Sequence, residues 1–207
     1  MLVKFDHLTL VVNRNDAQRT IEQFQEKGYR LTLTDDNAVN MPSKLNYMQF
    51  KDVTHGLYFM EAPNAMGLSV EIIAYEHTTQ NKSWIEYNPL ENALTVLSKE
   101  LDACKKMFLT FGCDQGDKEI VFNGALDPAS YIISFREDNG MAKNLDNEGF
   151  CCPTIFVKPG NKTKTKLEEA GYYCTDPDVF ETSGKTMFVF FALGKDGEIV
   201  EFVTNKL

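Results

Sequence analysis

The sequence predicts an α+β fold of repeated βαβββ modules that form curved, mainly antiparallel sheets with helices on the outer face. Three observations predict it. A strand, a helix and further strands follow one another in the same order three times along the chain. Each helical segment has a single apolar stripe, so each helix packs on one face of a sheet. Glycines follow the three helices at Gly28, Gly112 and Gly171, where a left-handed residue ends a helix.

The first βαβββ module is predicted over residues 1–78. Its opening strand leads into an amphipathic helix, and its last two strands are separated by the turn-forming segment PNAMG. In order, its elements are FDHLTLVVN, DAQRTIEQFQEKG, YRLTLT, GLYFMEA and LSVEIIAYE. The polar segment at 35–45 is predicted as a loop, either a lid or a connector.

Two further modules complete the predicted organisation. Residues 79–147 form a linker and a degenerate βαββ module, with the elements NALTVLS, KELDACKKMFLTFG, KEIVF and ASYIISF. Residues 148–207 form the final βαβββ module, with the elements GFCCPTIFVK, KTKTKLEEAG, YYCTD, MFVFFALG and GEIVEFVTN. The pattern does not decide which of the later modules pairs with the first.

Composition narrows the class of protein. The 207 residues are 43% hydrophobic and 25% charged, which is typical of a globular protein. A formal charge of −9 argues against nucleic acid as a partner. No apolar run approaches the ~18 residues of a membrane span, and the N-terminus lacks a signal-peptide pattern. The five cysteines have no zinc-type spacing, so we expect free thiols in a reducing cytoplasm.

His7 is the unusual residue of the opening strand. Alternation places Leu8, Leu10 and Val12 toward the helix, and the other face then consists of Phe5, His7, Thr9 and Val11. We therefore expect His7 on the concave side of the sheet. His55 precedes a strand in a turn composition, and we expect it to be exposed.

Two closing strands each carry one glutamate within an apolar run, Glu71 in VEIIAYE and Glu201 in EIVEFV. A carboxylate at mid-strand is paired, protonated or bound to a metal, because its desolvation is costly. Together with His7, these residues suit Zn, Mn, Ni or Fe. A polar ligand-binding role and a solvated sheet face are the alternatives.

The modules, the His of FDHLTLVV and the Glu of SVEIIAYE resemble the vicinal oxygen chelate superfamily, and most of all its glyoxalase-like proteins. The resemblance covers nearly the whole chain in the order of elements. It implies a small-molecule cavity between two paired modules, with metal ligands from their opening and closing strands. His7, Glu71 and Glu201 match those positions. Aligning FCCPTIFV with FDHLTLVV places Cys152 where the family has a second His, Gln or Glu.

The resemblance implies two functions that the sequence leaves open. One is a metal-dependent lyase, isomerase or dioxygenase-type enzyme, in which Glu71 or Glu201 acts as ligand or general base. The other is a metal-free protein that sequesters a small molecule, as resistance members of the family do. The missing second His favours the latter. Dimers are frequent in the family, and a homodimer is compatible with these residues.

Overall fold

The computed structural model describes residues 2–80, 83–89, 91–115, 119–124, 126, 129–138, 142–182 and 184–207. In the first module, a short 3-10 turn at Arg14–Asp16 leads into the helix. A second one, Lys44–Tyr47, lies between the second and third strands. Its regular elements are β1 (Leu2–Asn13), α1 (Ala17–Glu26), β2 (Arg30–Val39), β3 (Thr54–Glu61) and β4 (Ser69–Tyr75).

The second strand is longer than predicted. β2 continues to Val39, through residues whose polar composition indicated a loop. Its pairing with β3 is interrupted between Leu31 and Leu33 and between Asp35 and Ala38. Asp35 accepts a hydrogen bond from the Asn37 backbone amide at 3.0 Å. Side-chain capping of this kind is common in turns, and here it lies within a bulged strand.

The middle part of the chain forms a sheet of its own, in the strand order β5-β6-β9-β8-β7. The three-residue strand β7 was not predicted, and with it the order from β6 onward is also βαβββ. Its elements are β5 (Ile85–Asn88), β6 (Ala93–Ser98), α2 (Leu101–Thr110), β7 (Cys113–Gln115), β8 (Ile120–Phe122) and β9 (Tyr131–Glu137).

The final module repeats the order of the first, but its second strand is broken. β11 and β12 both pair antiparallel with β13, and Pro177, which has no N–H to donate, lies between them. The elements are β10 (Gly149–Lys158), α3 (Gly160–Glu169), β11 (Tyr173–Cys174), β12 (Asp178–Thr182), β13 (Lys185–Leu193) and β14 (Ile199–Thr204).

The first and final modules share one nine-stranded sheet, which answers the question of pairing. β1 and β10 are antiparallel neighbours at its centre, each flanked by a parallel strand, β4 and β14 respectively. The other pairings in the sheet are antiparallel, so the predicted α+β architecture is confirmed.

The helices α1 and α3 pack on one side of this sheet, and α2 packs on the middle sheet, each through its apolar stripe as predicted. Ile21 and Phe24 of α1 are buried against β3 and β4. Leu167 of α3 and Phe108 of α2 join one core cluster with the outer face of the final module. Gly28, Gly112 and Gly171 all have positive φ, as predicted for helix ends. No helix of the described ranges has the length and apolarity that a membrane span needs.

Candidate functional site

Two β-bulges shape the centre of the nine-stranded sheet. Between the pairs Phe5–Ile155 and His7–Thr154, β1 carries one extra residue, Asp6. Because a bulge shifts the alternation by one residue, Phe5 turns to the other face and packs in the same cluster as Leu8. The predicted placement of Phe5 beside His7 is therefore wrong.

The second bulge lies at the matching position of β10. Cys151 is the extra residue between the pairs Thr9–Cys152 and Leu10–Phe150. Each bulge brings two successive side chains to the concave face. Asp6 and His7 line one cavity there, and Cys151 and Cys152 share one apolar cluster.

The register relates the two opening strands by an approximate two-fold axis. Thr9 lies beside Glu71 and donates to its Oε2 at 3.5 Å, while Thr154 lies beside Glu201 and donates to its Oε2 at 3.3 Å. His7 and Cys152 each precede their threonine by two residues. The structure thus makes Cys152 the counterpart of His7, in agreement with the sequence alignment.

One cavity of about 550 Å³ brings together the three predicted site residues, His7, Glu71 and Glu201. Most of its wall is apolar and comes from both paired modules, and it includes Leu33, Leu57, Phe59, Ile73, Phe180, Met187, Phe191 and Val203. Its polar lining includes His7 and the two glutamates, together with Asp6, Asp35, Asn40, Lys44, His55 and Glu181. Such an apolar wall with polar groups set into it is typical of small-molecule sites.

His7 is 7% exposed and lies between two carboxylates. Its Nδ1 is 3.1 Å from Asp6 Oδ2, and its Nε2 is 3.6 Å from Glu71 Oε2. Burial lowers the pKa of His7, but attraction to Glu71 and Asp6 outweighs burial and raises it to about 10. The ring is therefore an imidazolium at neutral pH. Within the described chain its Nε2 has no hydrogen-bond partner.

The pKa values of the two glutamates are shifted in opposite directions. Burial raises the pKa of Glu71, but His7 and Lys44 outweigh burial and hold it at about 2. The pKa of Glu201 is raised, first by burial and then by repulsion from Glu71. Two carboxyl groups with pKa values driven apart are a common arrangement in acid–base sites.

Lys44 is the site residue that the sequence pattern missed, because it lies in a segment predicted as a loop. Its side chain lines the cavity, with Nζ 6.0 Å from the centroid of the Tyr75 ring. Burial lowers its pKa, but attraction to Tyr75, Glu71 and Glu201 raises it above the ordinary value. A cation thus lies within electrostatic reach of both glutamates. Nothing in the local sequence distinguishes this lysine from a solvated one.

His55 is also placed differently from the prediction. It lies within β3 and is 4% exposed, with its ring 5.5 Å from that of Tyr75 and its side chain on the cavity wall. Burial and the nearby Lys44 lower its pKa to about 3, so it is neutral. The glycine that follows it suggested a turn, but Gly56 pairs with Ala74 inside the sheet.

The family resemblance implies a divalent metal, and the residues in this arrangement do not fit one. Among the residues described, no group of three or more His, Cys, Asp or Glu is arranged to hold a metal ion. His7 is protonated, whereas a metal binds neutral imidazole. Burial raises the pKa of Cys152 far above its ordinary value, so this residue is a thiol rather than a metal-binding thiolate.

No protein-family model matches the chain, and no curated protein matches it. Several solved structures do. Glyoxalase I from Zea mays is 15% identical, with 99% of this chain and 68% of that chain covered and a TM-score of 0.39. Methylmalonyl-CoA epimerase from Mycobacterium tuberculosis is 11% identical, with 96% and 85% covered and a TM-score of 0.45.

The hypothetical protein BH1468 from Bacillus halodurans is 14% identical, with 99% of this chain and 96% of that chain covered and a TM-score of 0.45. Glyoxalase I and methylmalonyl-CoA epimerase are members of the vicinal oxygen chelate superfamily, which the sequence resembles. At these identities and TM-scores, no conclusion about the substrate, metal or activity of this chain follows from them.

Proposed function

We propose that this chain binds a small molecule with an apolar body and a polar head in the cavity between its first and final modules. The observation that carries the proposal is the make-up of that cavity, which combines apolar walls from both modules with the ionisable groups His7, Glu71 and Glu201. An apolar body would displace water from the apolar wall, and a polar head would bind beside His7 and the glutamates.

His7, Glu71 and Glu201 supply the cavity with different hydrogen-bonding groups. His7 Nε2 lies 3.6 Å from Glu71 Oε2, slightly beyond hydrogen-bond distance, so it can still donate to a ligand. Glu71 is an acceptor, and Glu201, whose pKa is raised by burial and by Glu71, takes up a proton more readily than Glu71 does. A hydroxyl, carbonyl or carboxylate head therefore has complementary groups within one pocket. A ligand that accepts from Nε2 would give this buried donor a shorter hydrogen bond than Glu71 gives it.

Thermal unfolding in the presence of benzoate, catechol and toluene tests the proposal. Binding at about 100 times the Kd stabilises the fold by about 2.7 kcal/mol and raises Tm. We expect benzoate or catechol to raise Tm more than toluene, which lacks a polar head. Leu57→Trp fills the cavity and should abolish the shift. Ile132→Trp, on the exposed face of the middle sheet, is the matched control. The proposal fails if none of the three probes binds, or if Leu57→Trp binds them as well as the control.

A second candidate function is a proton transfer on the bound molecule, and the opposite pKa shifts of Glu71 and Glu201 in one cavity favour it. With hydroxyacetone in D₂O, the wild type would then exchange the carbon-bound protons beside the carbonyl. Glu201→Gln should slow that exchange by about 100-fold, as the loss of a general acid–base group does. Equal exchange in both proteins would exclude Glu201 from this role.

The metal-ligand role of His7, Glu71 and Glu201 stays a prediction. For these three side chains to hold an ion, His7 would have to lose a proton and the charge of Lys44 would have to be overcome. A Zn, Mn, Ni or Fe content that is stoichiometric in protein purified without a polyhistidine tag, and lost in His7→Ala, would support that role. The cytoplasmic location and the homodimer likewise stay predictions.

A further inference from the structure

Polar side chains line the cavity in two regions that lie far apart along its strands. The His7 region contains His7 and Glu71, and the Lys44 region contains Lys44 and His55. Phe59 of β3 pairs with Glu71 of β4, and His55 lies on the same face of β3 as Phe59. At about 3.3 Å per residue, the four positions from Phe59 to His55 span roughly 13 Å.

An apolar section of the wall separates the two regions. Leu57 lies between Phe59 and His55 on the cavity side of β3, and its partner in β4 is Ile73. Both of these side chains line the cavity. A molecule that reaches both regions therefore needs an apolar body with a polar group at each end.

The ring of Tyr75 shows that Lys44 and His55 lie close to one another. Tyr75 is the last residue of β4, on the side of Ile73 that is away from Glu71. The centroid of its ring is 5.5 Å from that of the His55 ring and 6.0 Å from Lys44 Nζ. The ammonium and the imidazole thus lie beside the same aromatic ring.

Contacts with the rest of the chain hold the backbone on both sides of Lys44. The Ser43 amide donates to Asp178 Oδ2 in β12 at 3.1 Å. The Tyr47 carbonyl accepts from the Leu145 amide at 2.8 Å. Lys44 lies in the 3-10 turn between these two contacts, so the fold itself places it at the cavity wall.

The Lys44 region offers a cation and a hydrogen-bonding ring without an acid in contact with them. Among the described residues Lys44 forms no ion pair, and the buried His55 Nδ1 has no hydrogen-bond partner. Asp35, on the neighbouring strand, is exposed and accepts from the Asn37 amide at 3.0 Å. A half-buried ammonium without a counter-ion is costly to remove from water, and an anionic ligand group would offset that cost.

We propose that the ligand is an elongated hydroxy acid, whose carboxylate binds Lys44 and His55 and whose hydroxyl binds His7 and Glu71. A carboxylate accepts from an ammonium and from an imidazole N–H. A hydroxyl both accepts and donates, which suits His7 Nε2 and Glu71 Oε2, 3.6 Å apart. This inference rests on the proposed function and adds a second polar group, of defined chemistry, to its ligand.

Calorimetric titration of the wild type with three molecules of equal chain length tests the inference. They are ω-hydroxyoctanoate, octanoate and the octanediol with a hydroxyl at each end. We expect ω-hydroxyoctanoate to bind at least about tenfold more tightly than either of the others, because it alone has a suitable group for each region. Binding of the diol or of octanoate as tight as that of the hydroxy acid overturns the inference without any variant.

Variants assign each end of the ligand to its region. Lys44→Met should weaken the binding of ω-hydroxyoctanoate by about tenfold and leave that of the diol unchanged, because the diol has no carboxylate. His7→Gln should weaken the binding of both and leave that of octanoate unchanged. Lys162→Met, at an exposed lysine of α3 outside the cavity wall, is the control for loss of charge.

Lys44→Gln replaces Lys44→Met if the latter does not show the circular dichroism of wild type. The inference is overturned if the variant at Lys44 prefers the hydroxy acid over the diol as strongly as Lys162→Met does. If none of the three molecules binds while benzoate or catechol does, this inference alone fails. If none of these molecules binds at all, the proposed function fails with it.

Discussion

Two lysines of this molecule differ in what surrounds them: Lys143 forms ion pairs with two aspartates, whereas Lys44 shares a cavity with Glu71 and Glu201. Lys143 follows the middle sheet, and its side chain is 0% exposed. Its Nζ donates to Asp138 Oδ2 at 3.1 Å and to Asp196 Oδ2 at 2.5 Å. It therefore connects the end of β9 to the turn between β13 and β14. Lys44, by contrast, is half-buried and lies at the wall of a cavity.

These different surroundings give the two lysines different roles. At Lys143 the hydrogen bonds are made within the fold, so the charges hold the middle sheet to the final module. In the cavity that Lys44 lines, His7 Nε2 faces Glu71 Oε2 at 3.6 Å, beyond hydrogen-bond distance. Closed clusters of buried charge act on stability, whereas open ones retain hydrogen-bonding capacity for a ligand.

The largest expected effect is a difference in the free energy of unfolding between variants of the two lysines. Lys143→Met leaves Asp138 and Asp196 without their buried cation and should destabilise the fold by about 3–5 kcal/mol. Lys44→Met should cost about 1 kcal/mol, because His7 still faces Glu71 and water can enter the cavity. Urea unfolding of both variants measures this. Equal losses would contradict the distinction between a closed and an open cluster.

The His7–Glu71 pair should weaken the fold at alkaline pH. The folded-state pKa of His7 is raised to about 10, so its contribution is complete below about pH 6.5 and is lost as pH rises toward 10. We expect the free energy of unfolding to fall by about 2–3 kcal/mol over that interval. In His7→Gln this part of the pH dependence should be absent. Urea unfolding at pH 6 and pH 9 measures it, and an unchanged slope in the variant would contradict the ion pair.

His55 should have the opposite effect at acid pH. Its pKa is lowered to about 3 in the folded protein, because burial and Lys44 disfavour its charged form. Above about pH 6.5 His55 is neutral in both the folded and the unfolded state, so it does not lower the free energy of unfolding. As pH falls toward 3, the unfolded state binds a proton that the folded state does not, and stability is lost. We expect about 2 kcal/mol of loss between pH 6.5 and pH 4.5. His55→Phe should remove it, whereas His77→Phe, at an exposed ring, should leave it unchanged.

The smallest expected effect concerns the segment that carries Lys44. Ser43→Ala removes the hydroxyl donor to Asp178 and should destabilise the fold by about 1 kcal/mol. Amide hydrogen exchange should accelerate in residues 43–47 more than in the strands of the sheet. Ser130→Ala, at an exposed serine that donates to Asn123, is the matched control. Unchanged exchange at 43–47 would show that this contact does not hold the segment.

Local sequence pattern was sufficient to predict many elements of this fold. Apolar stripes identified the three helices, and glycines marked their ends, because both signals act within a few residues of the chain. Alternation also identified His7, Glu71 and Glu201 as inward-facing, and the structure places them in one cavity. The equivalence of His7 and Cys152 followed from the repeat.

Only the tertiary structure decided the rest. Strand pairing across about 150 residues placed the first module beside the final one, and such pairing leaves no trace in local periodicity. The bulge at Asp6 turned Phe5 away from His7, although two successive polar residues in an apolar strand hinted at it. Lys44 entered the site because its neighbour Ser43 bonds to Asp178, and the His55 ring packs near Tyr75. A charge set by distant partners is decided by packing, because the Coulomb energy depends on distance in space rather than along the chain.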